Sequence, residues 1–177
     1  VMKRCYEKPL GYPGDYQIMN YVYEWQRVGD TPYEKLLHRI GIETGACVGT
    51  RLRMTQKLIA ERVAEEPGDT PLNIANLGCG SAYEVYDYLK IGKLPRPVNF
   101  TLIDQDDRAL THAYEHAYPE VVRHSGRAKV QCLQASFAQL LKAGALFRAL
   151  PPQDVIYSLG LYDYLSARRA RALTRDL

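Results

Sequence analysis

A short apolar run that breaks into two closely spaced glycines constrains this chain more than any other feature. Pro71-Leu-Asn-Ile-Ala-Asn-Leu-Gly-Cys-Gly-Ser81 reads as a buried strand, a tight turn and the start of a helix. Glycines at 78 and 80 let the backbone pass close to a ligand, and the following helix begins with N–H groups that have no partner within it. A dinucleotide turn would need a small residue at the sixth position of Gly-x-Gly-x-x-Gly, where helix presses on strand beside the pyrophosphate. That position is Tyr83, and the small residue comes one earlier, at Ala82.

The segments that follow fall in the order a doubly wound sheet demands. Val98-Asn-Phe-Thr-Leu-Ile-Asp104 reads as a second strand ending in an acid, 26 residues beyond Gly78. Ala128–Gln134 alternates polar and apolar residues as a third strand, and residues 154–159, after Pro151-Pro152, form a fourth. A helix is expected over 137–147 with Ser136 as its N-cap. The fold class is therefore α/β, a Rossmann-like parallel sheet in residues 71–177, preceded by a helical cap over residues 1–66. In that cap Asp15 opens a helix to about Gln26, and Thr31-Pro-Tyr-Glu34 is a capping box with proline at the first helical position. A third helix runs from Ala46 to about Glu65, with Val48, Leu52, Leu58, Ile59 and Val63 as its buried stripe. Ser81-Ala-Tyr-Glu84 repeats the capping-box pattern, which gives Glu84 a structural explanation.

Ile74-Ala-Asn-Leu-Gly-Cys-Gly-Ser-Ala82 resembles motif I of the class I S-adenosylmethionine (SAM) dependent methyltransferases, with Asn76 where an Asp is common and Ala82 where a third Gly is common. The resemblance implies SAM as cofactor, held by Asn76, Gly78, Cys79 and Gly80, with Asp104 accepting hydrogen bonds from both ribose hydroxyls and Gln105 beside it. It implies that Ser136 and Phe137 read the adenine, that Ser158 also lines the cofactor, and that the methyl acceptor lies over the loop 160–166 after strand four. Tyr162 and Asp163 are the nearest polar groups there and the candidates for catalysis. Further upstream, Lys8-Pro-Leu-Gly-Tyr-Pro-Gly-Asp-Tyr-Gln-Ile-Met-Asn20 is similar to the segment before the SAM domain in a bacterial methyltransferase group associated with 3-hydroxy fatty acid methyl ester synthesis. That likeness implies that Tyr12 and Tyr16 cover the cofactor and that Arg51 or Arg53 pairs with a carboxylate of cofactor or acceptor.

Composition limits the remaining classes. The chain has 177 residues, 46% hydrophobic and 24% charged, enough for one sizeable core. No run approaches the roughly 18 apolar residues of a membrane span, and the start lacks a signal-peptide pattern. Cys5, Cys47, Cys79 and Cys132 are too scattered for a zinc pair and read as reduced thiols of a cytoplasmic protein. His112 and His116 are four apart without a third ligand, so no metal is expected. A net charge of +3 with mixed signs argues against nucleic acid as a partner, and Arg168, Arg169, Arg171 and Arg175 read as a solvated helix face. The loop Ser158-Leu-Gly-Leu161 matches neither the Asn/Asp-Pro-Pro-aromatic run of base amino-methylating enzymes nor the Pro-Cys of cytosine C5 enzymes.

The expectation is thus a methyltransferase for a small-molecule or fatty-acyl acceptor, by O-methylation and including a carboxylate to methyl ester reaction. A non-catalytic SAM-binding module, a nucleic-acid methyltransferase and an NAD-dependent oxidoreductase stand as alternatives. Four strands are legible where that family has seven, so the chain is expected to be a fragment, with a missing carboxyl-terminal segment or a second copy covering strand four.

Overall fold

The computed structural model describes residues 2–91, 93–140 and 142–177, with the side chains of Met2, Phe137, Leu140 and Ala143 outside the description. It divides into two compact units, Val1–Gln56 and Lys57–Leu177.

The first unit is helical: α1 (Met2–Glu7), α2 (Tyr16–Tyr23), α3 (Pro32–Thr44) and the opening turns of α4 (Ala46–Ala64). Asp15 starts α2 as its sequence suggests, its Oδ1 accepting the N–H groups of Gln17 and Ile18, each at 3.1 Å. Its other oxygen accepts Arg4 Nε at 2.7 Å from α1, a helix the sequence did not announce. The Asp15 carboxylate is fully buried, so the cap and the ion pair together offset its desolvation. α2 stops at Tyr23, short of the expected Gln26, and Trp25 takes a φ of +49°; no β-branch is present to resist that bend, and the Arg39 guanidinium lies 4.5 Å over the ring. The capping box of α3 is formed in both directions: Thr31 Oγ1 accepts the Glu34 N–H, and the Glu34 carboxylate accepts that of Thr31.

The second unit contains a four-stranded parallel sheet in the order β3-β2-β1-β4, formed by β1 (Leu72–Leu77), β2 (Val98–Asp104), β3 (Ala128–Gln134) and β4 (Val155–Tyr157). Strand alternation assigns the two faces. Leu72, Ile74, Phe100 and Leu102 face one core, which includes Val85 and Leu89 of α5 (Tyr83–Tyr88) and its end, Ala113 of α6 (Asp107–Arg123), and Ile59 and Val63 of α4. Leu77 and Ile103 face the other, with Leu161 and Leu173. Leu161 belongs to a short 3-10 helix (Leu161–Tyr164) and Leu173 to α9 (Ala167–Asp176).

Three expectations require correction. The helix expected over 137–147 is two short pieces, α7 (Phe137–Leu140) and α8 (Ala143–Phe147). Leu58, assigned to the buried stripe of α4, is 63% exposed, because 59 and 63 already fill the face turned to the core and 58 lies about 100° away. The Ser81 capping box does not form: Ala82, with φ +47° and ψ +41°, precedes α5 and offers no side-chain cap. No helix among the described residues is long and apolar enough to cross a membrane, and all four cysteines are free thiols.

Candidate cofactor-binding site

The apolar β1 delivers the glycine turn to the carboxyl edge of the sheet. Gly78 and Gly80 take φ of +67° and +55°, a region open to glycine at little cost. The turn folds onto β2, since the N–H groups of Gly78 and Cys79 both donate to the Ile103 carbonyl, at 2.8 and 3.1 Å. The third N–H of the turn, that of Gly80, donates to Asp104 Oδ2 at 2.8 Å. The turn and the acid at the end of β2 are therefore one constellation.

Asp104 is 7% exposed. Its Oδ1 accepts the Asp106 N–H at 3.0 Å, and the Gln105 N–H is a third backbone donor to the carboxylate, which has about four acceptor sites in all. Burial pushes its carboxyl above the usual aspartate range, and the backbone donors Asp106, Gly80 and Gln105 pull it back. A pair of vicinal hydroxyls is the ligand group that such a two-pronged, ionised acceptor suits. The turn is bounded on its other side by the loop after β4. A Cβ built on Gly78 would come within 3.1 Å of Leu161 Cβ, and Ser158 Oγ accepts the Leu161 N–H at 3.3 Å, holding that loop in place.

The remaining candidates distribute as follows. Gln105 is exposed and its carbonyl accepts Gln134 Nε2 at 3.2 Å. Ser136 caps α7: its Oγ accepts the Gln139 N–H at 3.3 Å and donates to Gln139 Oε1 at 2.8 Å. The Phe137 side chain lies outside the described residues. Cys79 is buried, and desolvation, with the charges of Asp104 and Glu84, lifts its thiol well above the ordinary range, so it is a packing group and a poor nucleophile. Tyr162 is half-buried with its hydroxyl 3.1 Å from Thr174 Oγ1 of α9, and Asp163 is exposed. Neither caps α9, whose N-cap is Ser166. Tyr16 and Arg51 belong to the first unit, both half-buried, the Tyr16 hydroxyl accepting Gln17 Nε2 at 3.3 Å. His112 and His116 stack at 3.9 Å, and among the described residues no group of three His, Cys, Asp or Glu could hold a metal.

Sequence reasoning missed two residues. Glu84 is not a helix cap: it is 2% exposed, and its Oε1 accepts both Asn76 Nδ2 and the Tyr157 hydroxyl at 2.7 Å. Burial raises its carboxyl above the glutamate range against those two donors, and burial together with the Glu84 charge lifts the Tyr157 hydroxyl well above the ordinary range. The one signal in the sequence was an uncharged Asn76 followed eight residues later by an acid. A cavity of about 400 Å³ also opens at the amino-terminal half of the strands, where Asn73, Asn99, Lys129 and Gln131 line it. Ligands of open parallel sheets bind at the opposite, carboxyl edge, so the glycine turn is the better site.

The methyltransferase domain of a bacterial Hen1 (CtHen1) superposes with a TM-score of 0.50 and 16% identity, over 72% of this chain and 59% of that one. The chain shares the α/β fold of that domain. The E. coli protein YjhP (TM-score 0.46, 15% identity, 93% of this chain and 52% of that one) is also similar. So is a SAM-dependent methyltransferase from Geobacter sulfurreducens, solved with S-adenosyl-L-homocysteine (TM-score 0.43, 17% identity, 90% and 50%). The chain thus spans between half and three-fifths of the length of these solved proteins. No family profile and no curated protein matches the sequence.

Proposed function

We propose that this methyltransferase fold binds SAM at the carboxyl edge of its sheet and transfers the methyl group to a small-molecule or acyl acceptor. The observation that carries the reading is the Asp104 carboxylate, which closes the end of β2 and is hydrogen-bonded to the Gly80 N–H of the glycine turn. The residues present fit an adenosine: a diol acceptor at the end of β2, a turn of small residues beside it, and a third strand that leads into Ala135 and Ser136. When bound, SAM supplies an electrophilic methyl on a sulfonium whose leaving group departs uncharged. The protein's work is then to align an acceptor and exclude water. An acyl acceptor is favoured by the 13-residue likeness around Tyr12 and Tyr16, and a carboxylate needs no base at neutral pH.

Calorimetry with S-adenosylhomocysteine tests the reading directly: saturable 1:1 binding supports it, and absence of binding at millimolar ligand removes it. The pH dependence gives a second check. Ribose hydroxyls donate to the ionised form of Asp104, and its carboxyl titrates above the usual aspartate range. Affinity is therefore full at neutral pH and falls on acidification, starting at a higher pH than an ordinary aspartate would give; a titration series that stays flat down to pH 4 contradicts this. For a hydroxyl acceptor, Asp163 is the available base. Asp163→Asn then lowers kcat by about 100-fold or more while S-adenosylhomocysteine affinity stays within twofold, and unchanged turnover removes Asp163 from the chemistry.

A further inference from the structure

Behind the glycine turn lies a buried polar network drawn from three elements: Asn76 of β1, Glu84 of α5 and Tyr157 of β4. Glu84 Oε1 is the common acceptor, at 2.7 Å from both Asn76 Nδ2 and the Tyr157 hydroxyl. An ionised carboxylate can only accept, so it dictates which way the Asn76 amide faces: Nδ2 toward Glu84, Oδ1 away from it. Asn76 is 1% exposed, and its Oδ1 has no hydrogen-bond partner among the described residues. A buried amide oxygen left without a donor is costly, and this one lies two residues before Gly78, at the edge of the sheet where ligands of this architecture bind.

We propose that Glu84 is the positioning residue of the site: it fixes the Asn76 amide so that Oδ1 accepts from an ammonium group of the bound ligand, and it supplies the negative charge that Asn76 lacks. The inference rests on the cofactor reading above, in which that ammonium belongs to the amino-acid end of SAM. Charge and hydrogen bonding act together here. A carboxylate one hydrogen bond behind the amide polarises it, which makes Oδ1 a better acceptor for a cation than for a neutral donor. Tyr157 anchors the same carboxylate oxygen from β4, so loss of the 84 charge leaves the fold's hydrogen-bond partners in place but removes the field felt at Asn76 Oδ1.

Two ligands and three proteins test this. S-adenosylhomocysteine carries the ammonium; 5′-methylthioadenosine keeps the adenosine and lacks the amino-acid end. Glu84→Gln is expected to weaken S-adenosylhomocysteine at least tenfold while changing methylthioadenosine less than threefold. A merely structural role would lower both together. The double variant N76D/E84Q returns a carboxylate to the same network, one side chain nearer the ligand, and is expected to recover S-adenosylhomocysteine affinity to within threefold of the wild type. Should Glu84→Gln not fold, the double variant carries the test alone: folded and selective for the ammonium-bearing ligand supports the proposal, folded and unselective overturns it. Equal losses for the two ligands in Glu84→Gln, or no loss for either, also overturn it. Wild-type protein that binds neither ligand removes the proposed function itself, a different failure from wild-type protein that binds both while Glu84→Gln discriminates between neither.

Discussion

Replacing Asp104 by alanine is expected to lower S-adenosylhomocysteine affinity by more than a hundredfold. Two hydrogen bonds from ribose hydroxyls to a charged acceptor contribute about 1.5–3 kcal/mol each, and every 1.4 kcal/mol is tenfold in affinity. The same side chain accepts the Gly80 and Asp106 N–H groups, so its loss also strips a partner from the glycine turn and from the approach to α6. Asp104→Asn separates the two effects. The amide keeps one acceptor oxygen for the backbone but cannot accept from both hydroxyls and the two N–H groups, so the folded protein persists while affinity still falls by tenfold or more. Calorimetry paired with thermal unfolding reads both quantities. Affinity in Asp104→Ala within threefold of the wild type would mean that this carboxylate grips no ligand.

The second large effect is expected at Gly78. Valine there has to adopt φ +67°, which costs about 1–2 kcal/mol for an ordinary side chain and more for a β-branched one. Its Cβ would also approach Leu161 Cβ to 3.1 Å, forcing the loop after β4 away from the turn. Together these amount to roughly 2–4 kcal/mol, or a fall in Tm on the order of 10 °C for a chain of this length. Gly126→Ala is the control, because Gly126 shares a positive φ of +86° but a Cβ there would meet nothing within 4 Å. Gly78→Val and Gly126→Ala with equal losses of stability would show that contact with Leu161 adds nothing.

What could be read from the sequence was whatever local pattern decides without help. β1 and β2 are apolar runs buried on both faces, so their extent and order followed from the residues alone, and Asp104 marked the strand end that meets the turn. The first two strands and the acid were legible for that reason, and the third by its alternation of polar and apolar residues. Glu84 was not, because its local environment says one thing and its tertiary environment another. Ser81-Ala-Tyr-Glu84 has the spacing of a capping box, yet Ser81 is 3% exposed and Ala82 turns left-handed. The carboxylate is thereby carried to partners on β1 and β4 that are 8 and 73 residues away in the chain. No local rule reaches β4 from α5. The break between α7 and α8 is a similar case: the run from 137 to 147 lacks proline and reads as one helix, but Lys142 takes φ −116° and ψ +44° and caps the second piece without a side-chain bond.

One residue of the turn carries a cost that its neighbours avoid. Ala82 sits at φ +47° with a methyl group that the left-handed region disfavours, and it is 1% exposed, wedged in the core beneath α5. A conformation of that kind survives only where surrounding contacts overrule it, at about 1–2 kcal/mol. The turn is therefore a compressed spring held shut by its packing. Ala82→Gly would release it, trading the methyl contacts for a relaxed backbone, and whether the melting temperature then rises or falls weighs the grip of the core against the tension in the chain.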